Sequence, residues 1–377
     1  MVRADDMIKI LHCVSIMNRA GQETFLMNVF RNINRKEFMF NFLCTNEGKG
    51  DYDDEIYALG GKIFTLDAIQ KRGKLRNFNY QVKKLAEWFS SHRNEFDIVH
   101  VHTYHNLDVL KHLRAAKKAN VKIVIHSHNS SGPHHLMHKL LRPICNRYKH
   151  AMFACSKLAG EWLYGRRAVR SGKVTVINNG IDVQKFKFDE IVREEYRRKL
   201  GLDGFTVWGH IGRFNYQKNH EFLLSAFYEY KKENHKAKLL IIGQGELEDK
   251  IKNQIAELKL ENDVSLLGVR DDIERIMNAF DCFVFPSLFE GLGIVLIETQ
   301  ANGLPIVVSK EVPDEVVCNE NVVKLPIRDV MVWKNTILSV DLKRTENIRV
   351  GDYNIQNTVQ QLEKAYREMC DNFVKRT

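Results

Sequence analysis

No run of about eighteen apolar residues occurs in the chain, so none of it reads as a membrane-spanning helix. CxxC is missing too. The seven cysteines, at 13, 44, 145, 155, 282, 318 and 370, form an odd, scattered set, which points to reduced thiols and a cytoplasmic location. The absence of GxGxxG excludes a dinucleotide fingerprint. No low-complexity tract occurs, and no aromatic-interleaved basic motif suggests nucleic acid. The opening residues, MVRADDMIKILHCVSIM, carry charges on both sides of Met7 and no small-residue cleavage site. Their apolar part is therefore expected to be a first strand rather than a signal peptide.

What is present is an ordinary globular composition, 44% hydrophobic and 28% charged, in 377 residues. That length exceeds what one core usually serves and predicts two domains. The formal charge of +10 favours anionic partners such as nucleotide phosphates or an anionic membrane, or serves solubility alone. Strand and helix patterns alternate throughout. In the first half, strands are expected at 9–16, 38–44, 62–66, 97–101, 121–125, 152–156 and 174–177. The intervening helices are expected at 24–34, 53–59, 78–89, 107–118 and 157–164. Pro143 is expected to bend or interrupt any helix in 136–148. In the second half, strands are expected at 206–211, 238–242, 264–267, 282–285 and 306–308, with a weak one at 322–324. Helices are expected at 220–232, 247–258, 272–279 and 294–302, with a long closing helix at 353–373. This rhythm is that of α/β domains with doubly wound parallel sheets. The division predicted is 1–185, joined by the closing helix at about 356–377, and 186–355. Ligands bind such sheets at the carboxyl ends of strands. Gly21, His102, His128, Arg213, Gly243, Gly245 and Glu290 all follow strands, and are expected to line a cleft between the domains.

The most informative stretch is 285–309, FPSLFEGLGIVLIETQANGLPIVVS. It reads as the end of a strand, a glycine loop, a helix and a second strand. Gly291, Leu292 and Gly293 let a ligand approach the backbone, and the helix start offers free N–H groups. Glu290 beside that loop would repel phosphate, so its natural partners are hydroxyls. Glu298 lies inside an otherwise apolar helix, where a charge is normally paired or hydrogen-bonded. Sugar hydroxyls or a salt bridge would serve.

In GRFNYQKN, Arg213 offers a planar fork and Lys218 a point charge, and both suit a diphosphate. A solvated loop is the plain alternative. Gly243-Gln244-Gly245 either presents N–H groups to an anion or makes a tight turn. Gly21 either lets phosphate approach or serves a structural turn. His100 and His102 share one face of a strand, and His126 and His128 repeat that arrangement. His-x-His is a ligand spacing, but no carboxylate or cysteine stands close by, and no metal is expected. One histidine of each pair is expected to face the cleft while the other packs locally. Lys71, Arg72, Lys74 and Arg76, with the basic-apolar stretch 139–147, suit an anionic lipid surface or are simply solvated.

Taken together, AGQE, HSHN, INNGID, GRFNYQKN, IIGQGELE and the 285–309 stretch resemble the retaining glycosyltransferases of family 4, of group 1 type with the GT-B fold. The style is closest to bacterial capsular and exopolysaccharide transferases. The resemblance implies two Rossmann-like domains and transfer from a nucleotide-diphosphate sugar, with UDP the expected nucleotide. The acceptor implied is a hydroxyl of a glycan or lipid-linked saccharide, with no cofactor and no metal. It also implies roles. Arg213 and Lys218 would hold the diphosphate, and Gly21 would lie under it. Glu298 would bond the ribose. Glu290 and the N–H groups of 291–293 would hold the sugar. Val269 and Arg270 would meet the base, and His128 would sit beside the sugar. The first loop departs from the family's paired glycines, having only Gly21. A sugar-nucleotide epimerase of the same fold and a non-catalytic partner subunit are the alternatives.

Overall fold

The computed structural model describes residues 7–19, 21–66, 74–129 and 135–374. The chain divides into two compact units, Met1–Gly180 with Asp352–Thr377, and Ile181–Gly351.

The first unit holds strands β1 (Ile8–Val14), β2 (Phe38–Cys44), β3 (Lys62–Thr65), β4 (Ile98–Thr103), β5 (Lys122–Ser127), β6 (Ala151–Ala154) and β7 (Val174–Val176). All are parallel, in the order β3-β2-β1-β4-β5-β6-β7. Side chains alternate across the sheet. Ile10 therefore joins the core under the helix Gly21–Asn32, while Leu11 and Cys13 join the core on the other face. The helix Ile355–Val374 belongs to this unit. It buries Ile355, Val359, Leu362 and Tyr366 in the same cluster as Phe38, Phe40 and Phe42.

The second unit holds β8 (Thr206–Ile211), β9 (Ala237–Ile242), β10 (Val264–Leu266), β11 (Cys282–Phe285), β12 (Ile306–Ser309) and β13 (Val322–Leu325). These too are all parallel, in the order β10-β9-β8-β11-β12-β13. Both sheets thus reverse direction once, between β1 and β4 in the first and between β8 and β11 in the second. The crevice outside the carboxyl ends at such a reversal is where open α/β sheets bind ligands.

One local expectation is corrected, and two polar stretches form helices. Pro143 does not interrupt its helix, which runs His135–Cys145. Proline deletes one bond in the last turn, and the carbonyl it orphans belongs to exposed Lys139, which water can serve. Of the basic residues at 71–76, Lys74 and Arg76 stand in the helix Lys74–Ser91, while Lys71 and Arg72 lie outside the described residues. The polar segment 183–196 forms two helices, Val183–Phe186 and Glu190–Lys199, each capped by an aspartate side chain, Asp182 and Asp189.

Candidate active site

In the second unit the reversal brings the loop after β8 against the loop after β11. Lys218 ends a short 3-10 turn, Tyr216–Lys218, capped by the Asn215 side chain. Its ammonium lies 2.6 Å from Glu290 Oε1 and 4.4 Å from the centre of the Phe285 ring. The two side chains are only 14% and 5% exposed. Two further bonds zip the loops together. The Leu288 N–H donates to the Gln217 carbonyl (2.8 Å), and the Gln217 side-chain amide donates to the Phe289 carbonyl (2.9 Å). Gln217 stands inside GRFNYQKN, yet it carries no charge, so sequence reasoning passed over it.

Arg213 is placed differently. It is 71% exposed, and its guanidinium reaches Glu246 at 3.2 Å. An exposed pair of this kind holds weakly, which leaves Arg213 available to an anion. Gly243 and Gly245 are demanded by the protein's own backbone. A Cβ on Gly243, whose φ is +142°, would lie 2.1 Å from the Gly212 carbonyl oxygen. One on Gly245 would lie 2.4 Å from the Phe214 carbonyl oxygen. The loop after β9 is thereby seated on the loop after β8, with the Phe214 N–H donating to the Gln244 carbonyl (2.9 Å).

Gly293, at φ +73°, opens the helix Ile294–Ala301, which has no side-chain cap, so its first N–H groups have no side-chain partner. Leu292 is buried beside Gly291 and anchors that turn. Glu298 lies in this helix. Burial pushes its carboxyl up to about 7, an effect that nearby Lys185 opposes and Glu274 adds to. The salt bridge offered as one explanation for Glu298 is not made, because Lys185 instead pairs with Glu274 at 3.4 Å. Among the described residues the Glu298 carboxyl has no hydrogen bond or ion pair. Val269 is 54% exposed, and Arg270 beside it is held by Asp272, itself bonded by the Tyr196 hydroxyl (2.6 Å).

In the first unit the histidine expectation is corrected for one pair: His100 and His102 are both buried, whereas in the other His126 is buried and His128 is only half-buried. His12, His100, His102, His126 and His128 form one hydrogen-bonded array on one face of the sheet, with His128 at its more open end. His12 Nδ1 meets His102 Nε2 at 2.9 Å, and His102 Nδ1 meets His128 Nε2 at 2.8 Å. The Tyr366 hydroxyl meets His100 Nδ1 at 2.7 Å, and His100 Nε2 meets His126 Nδ1 at 3.2 Å. Phe25 covers the His126 and His128 rings. Burial holds all five imidazoles well below their usual range, His12 and His128 near 3, so the array is neutral. The register explains it: His12 pairs with His100 across β1 and β4, and His102 with His126 across β4 and β5. Two triads could close on an ion, and His102 belongs to both. Both of its nitrogens are already engaged, so either triad would have to break a hydrogen bond. Gly21 starts its helix with open space around it, since a Cβ there would meet nothing within 4 Å.

The two glycine environments separate by mutation. Gly243→Ala is expected to lower the melting temperature sharply, because backbone must move. Gly21→Ala is expected to leave melting unchanged and to raise the KM for a ligand that passes over it. An unchanged KM would remove Gly21 from the site.

Residues 192–337 match the family model of glycosyl transferases group 1, and residues 19–185 that of glycosyltransferase family 4. A Bacillus subtilis protein, EpsF, is 32% identical over 342 residues, covering 87% of this chain and 86% of that protein. The chain belongs to the group 1, family 4 glycosyltransferases. A second relative of this glycosyltransferase is an Escherichia coli protein named as UDP-Gal:α-D-GlcNAc-diphosphoundecaprenol α-1,3-galactosyltransferase. It is 27% identical over 391 residues, covering 97% of this chain and 98% of that protein. Among solved structures, Anabaena HepE in complex with UDP and glucose aligns with a TM-score of 0.76 at 20% identity. That alignment covers 95% of this glycosyltransferase and 99% of HepE, and the shared fold is GT-B. No described helix is long and apolar enough to cross a membrane.

Proposed function

We propose that this glycosyltransferase moves a sugar from a UDP-sugar to a hydroxyl of a glycan or lipid-linked saccharide, with retained anomeric configuration and without a metal. The observation that carries the reading is the buried Lys218–Glu290 pair at the strand reversal. A diphosphate arriving there competes for Lys218. As it takes the ammonium, Glu290 is released to accept bonds from sugar hydroxyls. One event thus charges the phosphate end and frees the sugar end. Arg213, held only by an exposed partner, turns onto the same phosphates. The charge that grows on the leaving diphosphate falls on these two cations and on the free N–H groups of 293–295, which need no reorganisation at that moment. Val269 meets the base and Glu298 the ribose.

Glu290 is a positioning group in this reading, since a carboxylate released from Lys218 and taken up by bonds from sugar hydroxyls is a poor nucleophile. Front-face attack follows, in which the leaving phosphate accepts the proton of the acceptor hydroxyl. The names of the relatives support the donor and acceptor classes. The E. coli protein is named for UDP-galactose and a diphosphoundecaprenol acceptor, and a Staphylococcus aureus relative for capsular polysaccharide biosynthesis. The protein would act in the cytoplasm, at the inner face of the membrane that carries such acceptors.

A thermal-shift panel of UDP-, GDP-, ADP- and dTDP-sugars is expected to single out one UDP-sugar. Proton couplings of the product made from it are expected to show the donor's own anomeric form. An inverted product would overturn the front-face mechanism. Loss of the nucleotide sugar without any acceptor would favour an epimerase.

A further inference from the structure

The helix His135–Cys145 turns its polar and small side inward. His138 and Cys145 are buried, while Leu136 (73% exposed), Leu140 (66%), Ile144 (42%) and Met137 (38%) form one outward stripe. Beyond the end of this helix lies a groove of about 840 Å³, at the amino ends of β5 and β6. Its apolar wall includes Leu113, Ile123 and Met369. Its charged lining is wholly basic: Lys117, Lys122, Arg147 and Lys149, with no carboxylate. Lys117, Arg147 and Lys149 have no acidic partner among the described residues. His150 bonds the Tyr148 carbonyl through Nδ1 at 2.8 Å and leaves Nε2 covered and without a partner. The groove is remote from His128: six residues of strand separate their ends of β5, about 20 Å.

We propose that the apolar stripe and the basic groove are one docking surface, and that its occupant is an anionic phospholipid bilayer. Acyl chains suit the stripe and the apolar wall, and phosphate suits the unpaired cations. A second copy of the chain is a poor occupant, because a two-fold contact would set these cations against themselves. The helix runs from the carboxyl end of the sheet to its amino end. A membrane along it would hold a lipid-linked hydroxyl within reach of the His128 end. The inference rests on the lipid-linked acceptor proposed above, but vesicle binding is read without donor or turnover, so the two fail separately.

The full chain is to be sedimented with vesicles of phosphatidylcholine alone and of phosphatidylcholine mixed with phosphatidylglycerol. Binding to the mixed vesicles only is expected. Each basic side chain contributes about fivefold to such binding, so Lys117→Glu/Arg147→Glu/Lys149→Glu is expected to lower it about a hundredfold or more. Leu140→Glu is expected to lower it more than tenfold, with melting unchanged in both variants. The matched change Lys236→Glu/Lys310→Glu/Lys343→Glu, in the second unit, is expected to retain most of it. Equal binding to both vesicle types, or wild-type binding by the first two variants, overturns the proposal. So does displacement by soluble glycerol phosphate, which would make the groove a small-anion site. If Leu140→Glu turns a dimer into a monomer in lipid-free solution, the stripe is a protein interface and the proposal falls.

Discussion

Replacing Lys218 with alanine is expected to cut sugar transfer by about 10²–10³-fold and to destabilise the second unit by about 3–5 kcal/mol. The two effects share one cause. Glu290 is 5% exposed, and among the described residues its only cation is Lys218 at 2.6 Å. Without that cation the carboxylate stays buried and uncompensated, which costs far more than the pair gains by existing. Activity falls because the diphosphate loses the charge placed where its own charge develops. A second variant separates the causes. Lys218→Ala/Glu290→Gln removes both charges and is expected to recover most of the lost stability while transfer stays low. Donor turnover and urea unfolding of the two variants decide the matter. Wild-type turnover in Lys218→Ala would place the diphosphate elsewhere. Turnover that returned with the double variant would mean that the single change acted through misfolding alone.

Glu298→Gln is expected to do the opposite to stability and the same to activity. Burial raises the Glu298 carboxyl from its ordinary 4.5 to about 7. The folded protein therefore holds a proton that the unfolded chain has released. This contribution is fully favourable below pH 4.5, is lost as pH rises to about 7, and stays lost above it. The loss is at most about 3 kcal/mol, reduced by the solvent contact the side chain keeps. Glutamine cannot ionise, so the variant is expected to be more stable than wild type at pH 8 and equal to it at pH 4.5. If Glu298 accepts bonds from two ribose hydroxyls, it must ionise to do so. Donor binding is then expected to release a proton and to tighten between pH 6 and pH 8 in the wild type. The variant is expected to bind about tenfold more weakly, with no such pH dependence. Calorimetry in two buffers of different ionisation heat measures the proton directly. A pH-independent wild type would show that the ribose lies elsewhere.

Much of the fold is legible in the sequence because parallel sheets buried on both sides force short apolar runs between amphipathic helices. The long elements announce themselves. The helix Val330–Ser339 does not, since VMVWKNTILS has no clear polar face. The site is legible residue by residue but not in its pairing. Lys218 and Glu290 each look like ligand residues, yet they are 72 positions apart, and only the strand order brings them together. Gly243 and Gly245 show the reverse case. Their pattern suggests an anion loop, and the structure supplies a backbone reason that needs no ligand. With the histidines, the period of two correctly puts each pair on one face. What it hides is that the partner of an imidazole is another imidazole. His12, in the run KILHCV, carried the only sign of that, a polar residue in the middle of a first strand.

The helix Ile355–Val374 has one more consequence, for how the molecule is made. It supplies Ile355, Val359, Leu362 and Tyr366 to a core whose other members precede residue 178. Gly180 has no room for a side chain because Ile355 and Thr358 lie against it, and Arg367 grips Glu37 through two bonds. As the ribosome works from one end to the other, the first unit must wait with that face bare until all of 181–351 has been synthesised. The unit begun second can therefore be finished first. During that interval Phe38, Phe40 and the neutral His100 are open to chaperones, and to one another on neighbouring nascent chains.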